Sequence, residues 1–174
     1  MNIVSPSFGV LGFLVAIILG LVLIAAKGAV SPWVGEIGPE AALILVVYVA
    51  WRAEKWVSVS AAFILGLCRD AAGGGFLGVY QVSLISVVWV FHPWSRRVHL
   101  EAPLPLMICV FTLALCSDLL VLTPLTALLG WPGPGFNPVP AFLVSAVLSA
   151  LAAPPLFWLL GRLPGGHVTG GQHG

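Results

Sequence analysis

Charged side chains are scarce in this sequence, so those that interrupt its apolar runs are the first candidates for chemistry. The stretch GLCRDAAGGGFLGVYQ, residues 66–81, places Arg69 directly before Asp70 and follows them with three consecutive glycines. It could be a phosphate-binding loop, a catalytic dyad or a corner between two helices. A Walker loop needs the pattern GxxxxGK[ST], and a dinucleotide-binding loop needs a preceding strand. Neither is present, so the sequence argues against nucleotide binding here.

Catalysis is equally poorly supported. Asp118 is too far from Asp70 in sequence to be paired with it, and no HExxH, GxSxG, Ser–His or Cys–His arrangement occurs. The three cysteines lie in apolar runs without CxxC spacing, which is typical of small packing residues. We therefore predict no catalytic residue, no cofactor and no metal site. A membrane enzyme acting on lipid-linked substrates is the least favoured alternative.

The composition indicates where the chain resides. Of its 174 residues, 60% are hydrophobic and 7% are charged, whereas soluble domains carry about 25% charged residues. The mean hydropathy is +1.10, and the apolar runs are continuous and long enough for helices rather than barrel strands. The net charge of +1 implies no nucleic-acid partner. The sequence predicts an all-α integral membrane protein.

The apolar runs predict six transmembrane helices in a single bundle. We place these helices at about residues 8–26, 39–52, 57–70, 76–92, 103–129 and 140–162. They form one domain, residues 1–164, followed by a Gly-rich tail at 165–174 that we expect to be disordered. The first run lacks the basic start of a signal peptide, so we interpret it as a structural helix.

Six crossings place both termini on one side of the membrane. That side carries five basic residues, namely Arg52, Lys55, Arg96, Arg97 and Arg162. The other side carries Lys27 and Arg69. Because cytoplasmic loops are enriched in Lys and Arg, this distribution predicts cytoplasmic termini and an outward-facing stretch 66–81.

The stretch 66–81 is best explained as a packed corner between two helices. The consecutive glycines, among them Gly73, allow a sharp turn because only glycine adopts left-handed backbone geometry freely. Small residues recur every fourth position at Ser58, Ala62 and Gly66 and lead to Asp70. Such a face allows a neighbouring helix to approach closely.

Asp118 lies well inside the fifth apolar run and needs a partner. A carboxylate at that depth costs roughly 2.5–3.5 kcal/mol on insertion scales. We expect an intramembrane ion pair with Arg69, because the third and fifth helices should meet on the outer half of the bundle. A proton- or substrate-relay role and a contact with another subunit remain as alternatives.

Two helices carry small residues at every fourth position. These are Gly12, Ala16 and Gly20 in the first helix, and Ser145, Ser149 and Ala153 in the sixth. Such faces pack either inside a bundle or against a foreign helix. Internal packing is the commoner use, and the same residues are our candidates for binding a partner helix.

The segment FILGLCRDAAGGGFLGVYQVSLISVVWVF, followed by Arg96 and Arg97, resembles the signature of the MreD family of rod shape-determining proteins. That family has a helix ending in G-L-x-x-D, a small-residue turn, then L-G and another apolar helix. The matching positions are Gly66, Leu67, Asp70, Leu77 and Gly78. The upstream segment PEAALILVVYVAWR is similar to the family's second helix. Arg69 departs from the pattern, since the family more often has an apolar residue there.

The resemblance implies a non-enzymatic scaffold of the bacterial inner membrane that takes part in cell elongation. Family members bind MreC and help to connect MreB filaments to RodA and its transpeptidase partner, which organises peptidoglycan biosynthesis for cell shape. The family fold is similar to the substrate-binding subunits of energy-coupling-factor transporters. A vitamin-type transporter subunit, with a cavity lined by Tyr80, Gln81, Asp118 or Arg69, is therefore the alternative function.

Overall fold

The computed structural model describes residues 10–34, 38–73, 78–95, 102–129 and 138–162. These ranges fold into six α-helices: α1 (Val10–Val34), α2 (Ala41–Arg52), α3 (Lys55–Gly73), α4 (Val79–Ser95), α5 (Pro103–Leu129) and α6 (Val139–Gly161). Four segments are long and apolar enough to cross a membrane: Leu11–Ala29, Lys55–Gly73, Pro103–Pro124 and Val139–Gly161. The predicted all-helical fold is confirmed, and by length and composition four of the six helices contain candidate membrane spans.

α2 forms the centre of the bundle. All nine residues from 42 to 50 are at most 2% exposed, and the helix packs against each of the other five. A helix that is apolar on every side lies either in a protein core or among lipid chains, and α2 takes the first of these positions. Around it, α1 packs on α3, α3 on α4, α4 on α5 and α5 on α6. Five helices therefore surround one central helix, with α1 and α6 at the two ends of this series.

The outward faces of the surrounding helices are apolar. Large exposed side chains include Ile18 on α1, Val90 on α4, Ile108 on α5 and Leu151 on α6. Contiguous apolar surface of this kind is rare on soluble monomers and suits contact with lipid chains. The apolar character of the sequence therefore serves both the core and the outer surface.

The first helix is longer than predicted. α1 continues to Val34, whereas the sequence pattern predicts its end near residue 26 because Lys27 follows. Lys27 therefore lies inside α1 and not in a loop. The structural reason is that its ammonium group meets the carboxylate of Glu40 at 2.7 Å, which neutralises the charge that ended the predicted helix.

α2 begins inside the bundle and not at its end. Its first residue is Ala41, and Pro39 and Glu40 precede the helix instead of forming its first turn. The backbone N–H of Glu40 donates to Ser149 Oγ at 2.8 Å. Ser149 lies ten residues after Val139, the start of α6, which corresponds to about 15 Å along that helix. The polar entry to α2 is therefore enclosed by longer neighbours.

Several predicted features lie outside the described residues. These are Leu77, the second and third consecutive glycines, the pair Arg96 and Arg97, and the tail at 165–174.

Candidate functional site

Three charged side chains meet at the entry to α2, and we call Lys27, Glu40 and Arg69 the polar cluster. Glu40 Oε1 lies 2.7 Å from Lys27 Nζ and 3.5 Å from Arg69 Nη2. The three side chains are only 20%, 14% and 10% exposed, respectively. Because the surrounding helices exclude much of the solvent, these attractions are screened less than those of surface pairs. One carboxylate thus joins α1, the start of α2 and α3.

Serines of α6 hold the same entry segment. Ser145 Oγ donates to the carbonyl of Gly38 at 2.9 Å. Ser149 Oγ accepts the N–H of Glu40 and donates to the carbonyl of Ser145 at 2.8 Å. The backbone polar groups just before α2 are therefore satisfied by side chains, as buried polar groups require. This contact ties α6 to the polar cluster.

The small-residue faces of α1 and α6 point into the bundle. Ser145, Ser149 and Ala153 are buried. Ala16 is fully buried, and a Cβ added to Gly20 would lie 2.5 Å from Leu65 Cδ2. The chain's own helices cover these five residues, which is the internal packing expected as the commoner use of such faces.

Gly12 differs from the other small residues because it is only half-buried. It remains a candidate contact for a partner helix.

Asp118 approaches the polar cluster without joining its ion pairs. It is 8% exposed and lies within electrostatic range of Glu40, Lys27 and Arg69. Its Oδ2 has no hydrogen-bond partner among the residues that the structure describes. Arg69 is paired with Glu40 instead of the predicted Asp118. Glu40 takes this position because α2 begins deep in the bundle.

Asp70 holds the corner between α3 and α4. Its carboxylate accepts the backbone N–H groups of Gly78 at 2.8 Å, Tyr80 at 3.1 Å and Gln81 at 3.3 Å. The first N–H groups of a helix have no partner within the helix, and a carboxylate there also favours the positive end of the helix dipole. Asp70 therefore caps α4 from the preceding helix.

Each glycine at this corner is required for a different structural reason. A Cβ on Gly66 would lie 2.5 Å from the Cα of Gln81, so only glycine lets the two helix backbones approach this closely. Gly78 has φ = +103°, a conformation that other residues rarely adopt. Gly73 ends α3. Together with Asp70, these positions make the corner a structural joint, which explains why the motif has Gly66 four residues before Asp70 and a glycine again at position 78.

Two neighbouring residues of the motif have other surroundings. Leu67 is 43% exposed on the outer face of α3. The guanidinium of Arg69 stacks over the ring of Tyr80, with Cζ 4.8 Å from the ring centre. Arg69 therefore links the corner to the polar cluster, although it departs from the family pattern.

A small cavity adjoins the polar cluster. It measures about 130 Å³ and lies between α1, α2 and α3, with Lys27, Glu40 and Arg69 among its lining residues. Pockets that enclose drug-sized ligands measure about 300–1,000 Å³, and each water occupies about 30 Å³. The cavity has room for a few waters. Tyr80, Gln81 and Asp118, which the transporter alternative would place around a ligand, do not line it.

Two features of the structure were not predicted from the sequence. One is the role of Glu40 in the polar cluster. The sequence does place the opposite charges of Lys27 and Glu40 at the facing ends of two consecutive helices, and this pattern could have indicated their ion pair. The other is a buried link between α4 and α5, in which Ser83 Oγ lies 2.8 Å from Ser117 Oγ. Single serines in apolar runs are too common to reveal such a pair. Within the described ranges, no group of three potential metal ligands occurs.

Comparison with known proteins identifies the family. The model of the family described as "rod shape-determining protein MreD" matches residues 7–163, nearly the whole chain. No curated protein and no solved structure matches. The family match includes both the corner of Gly66, Asp70 and Gly78 and the polar cluster at the entry to α2. The chain therefore belongs to the MreD family of rod shape-determining proteins.

Proposed function

We propose that this protein is a non-enzymatic scaffold of the cell-elongation complex in the bacterial inner membrane. The family match over residues 7–163 carries this proposal. It is supported by the use of the polar side chains, since Asp70, Glu40 and Ser149 all bind the chain's own backbone or side chains. A rigid bundle with an apolar exterior is suited to binding other membrane helices.

The proposed topology has six crossings with both termini in the cytoplasm. α2 and α4 are short, at 12 and 17 residues, but α2 is enclosed by protein and need not reach both membrane surfaces itself. Arg52, Lys55 and Arg162 lie at the end of the bundle where α1 begins and α6 ends. With Arg96 and Arg97, which the sequence assigns to the same side, that side has five basic residues against two on the other, which supports the cytoplasmic assignment.

The proposed direct partner is the transmembrane helix of MreC, with MreB, RodA and its transpeptidase partner in the same complex. We place this helix along the side of α1 and α6. α1 packs on α2 and α3, and α6 packs on α2 and α5. α1 and α6 therefore lack the extensive contact with each other that the other consecutive helices around α2 have. Gly12 lies on α1 as a half-buried small residue that permits close approach.

The first test is purification of the tagged protein from native membranes in mild detergent, with mass spectrometry of the bound proteins. We expect MreC among them. Recovery of a transporter ATPase and its coupling subunit would instead support the vitamin-type transporter, whose fold likeness was implied by the family resemblance. Recovery of neither would contradict both functions.

Photo-cross-linking tests the proposed side. A cross-linking amino acid at Ile18 on α1 should capture MreC, whereas one at Val90 on α4 should not. Both side chains are well exposed, at 59% and 63%, and α4 lies opposite the α1–α6 side. Capture from Val90 and not from Ile18 would move the interface to the α4 side.

A further inference from the structure

The small cavity beside the polar cluster brings charged groups together inside the apolar part of the bundle. It measures about 130 Å³ and lies between α1, α2 and α3, with Lys27, Glu40 and Arg69 in its wall. Lys27 and Arg69 belong to two of the candidate membrane spans, Leu11–Ala29 and Lys55–Gly73. Charged side chains inside such spans face either the protein interior or a water-filled cavity. The unused hydrogen-bonding positions of Lys27 and Glu40 decide between these two possibilities.

Lys27 and Glu40 each keep an unused hydrogen-bonding position at this cavity. An ammonium group has three N–H donors. Among the described residues, Lys27 uses two of them, on Glu40 Oε1 at 2.7 Å and on the carbonyl of Gly38 at 3.4 Å. A carboxylate offers about four acceptor sites, and both ion pairs of Glu40 are made by its Oε1. A donor and an acceptor therefore remain for a further ligand.

The first turn of α2 adds a buried donor to the same cavity. Glu40 makes no side-chain cap on this helix. The N–H of Ala41 donates to the carbonyl of Pro39, and the carbonyl of Glu40 accepts from the N–H of Ile44. In the part of the chain that the structure describes, the N–H of Ala42 has no acceptor, although this residue is 2% exposed and lines the cavity. Buried N–H groups are almost always paired with protein or with ordered water.

The cavity is open at one end and closed at the other. Gly28, Ala72 and Gly73 line it and are exposed, and we call these three residues the mouth. Gly73 also ends α3. Ile24 and Ala42 line the inner part of the cavity and are only 7% and 2% exposed. Solvent can therefore enter beside the end of α3 and reach groups that the helices otherwise enclose.

We infer that this cavity is a binding site for ordered water, which enters through the mouth and hydrates the polar cluster within the apolar part of the bundle. The volume of the cavity corresponds to about four waters at about 30 Å³ each. A small anion would meet the negative charge of Glu40, whereas water can accept from Lys27 and from the N–H of Ala42 and also donate to Glu40. The site does not depend on MreC binding or on the scaffold function.

Hydroxyl-radical labelling with X-ray pulses tests this inference on the purified full chain in detergent, because radicals formed from water oxidise the side chains beside it. Mass spectrometry then gives the oxidation rate of each residue. Ile24 and Ile17 are a matched pair, since both are isoleucines of α1 and they are 7% and 9% exposed. Ile24 lines the cavity and Ile17 does not. We expect Ile24 to be oxidised severalfold faster than Ile17, and equal rates would overturn the water site.

A substitution at the mouth tests the route by which water enters. A Cβ at Gly28 would meet no atom of the described residues within 4 Å, so Gly28→Leu should fold normally and obstruct the mouth. The oxidation rate of Ile24 should then fall close to that of Ile17. Gly161→Leu is the control at the end of α6, where a Cβ also meets open space, and it should leave the Ile24 rate unchanged. An unchanged Ile24 rate in Gly28→Leu would overturn entry through the mouth, and the helical circular dichroism signal checks the folding of each variant.

Discussion

Replacement of Asp70 by alanine removes the carboxylate that joins α3 to α4. Asp70 is 3% exposed, and its oxygens accept three backbone N–H groups at the start of α4. A buried donor left without a partner costs about 1–3 kcal/mol. Gly78, Tyr80 and Gln81 are all half-buried, so each lost bond should cost the lower end of this range, about 1 kcal/mol. We therefore expect Asp70→Ala to lower the free energy of unfolding by about 3 kcal/mol.

Titration with SDS in mixed micelles measures this change, with helical circular dichroism as the signal. Asp70→Asn keeps one acceptor oxygen and should lose about half as much. Ser60→Ala is the matched control on α3, because the Ser60 side chain is exposed and its hydroxyl donates only to the carbonyl of Trp56 in the same helix. If Asp70→Ala stays within about 0.5 kcal/mol of the unmodified protein, Asp70 does not hold the corner.

Three further predictions use the same titration. Gly66→Ala should lower the free energy of unfolding by about 2 kcal/mol, because the added methyl group would meet the backbone of α4. Gly161→Ala is the control and should leave it unchanged, because a methyl group there meets open space. Equal effects of the two substitutions would contradict the close approach of α3 and α4. Glu40→Gln should cost about 2 kcal/mol because Lys27 and Arg69 both lose their shared carboxylate partner. Adding Lys27→Met should recover part of this loss, and simple additivity of the two changes would argue against the shared ion pair. Asp118→Asn should leave the free energy of unfolding unchanged or raise it, because Asp118 Oδ2 lacks a hydrogen-bond partner in the described chain. If cells that contain this variant at normal abundance lose their rod shape, Asp118 has a functional role instead.

The number and approximate position of the helices could be predicted from the sequence. Continuous apolar runs need long helices to satisfy their backbone groups in a membrane, and α5 lies where its pattern places it. The corner motif was also accessible, since glycines followed by an apolar run indicate a turn between helices. The sequence identified the residues of the corner, but it did not predict that the carboxylate of Asp70 accepts hydrogen bonds from the backbone at the start of α4.

The charged partners were decided by the depth at which each helix begins. From sequence, Lys27 lies at a helix end and Asp118 is the nearest intramembrane carboxylate for Arg69. In the fold, α2 starts well inside the bundle and delivers Glu40 between Lys27 and Arg69. Helix depth depends on packing against all neighbours at once, so no local pattern encodes it.

The sequence by itself determined that this protein is a helical membrane protein with a glycine-rich corner, because composition and apolar run length alone require it. Only the tertiary structure decided how the small-residue faces are used. The spacing of Ala16 and Gly20, or of Ser145 and Ser149, is the same for an internal and an external interface. Burial against α2 and its entry segment assigns them to the interior, since which side of a helix faces the core is set by the helices that surround it.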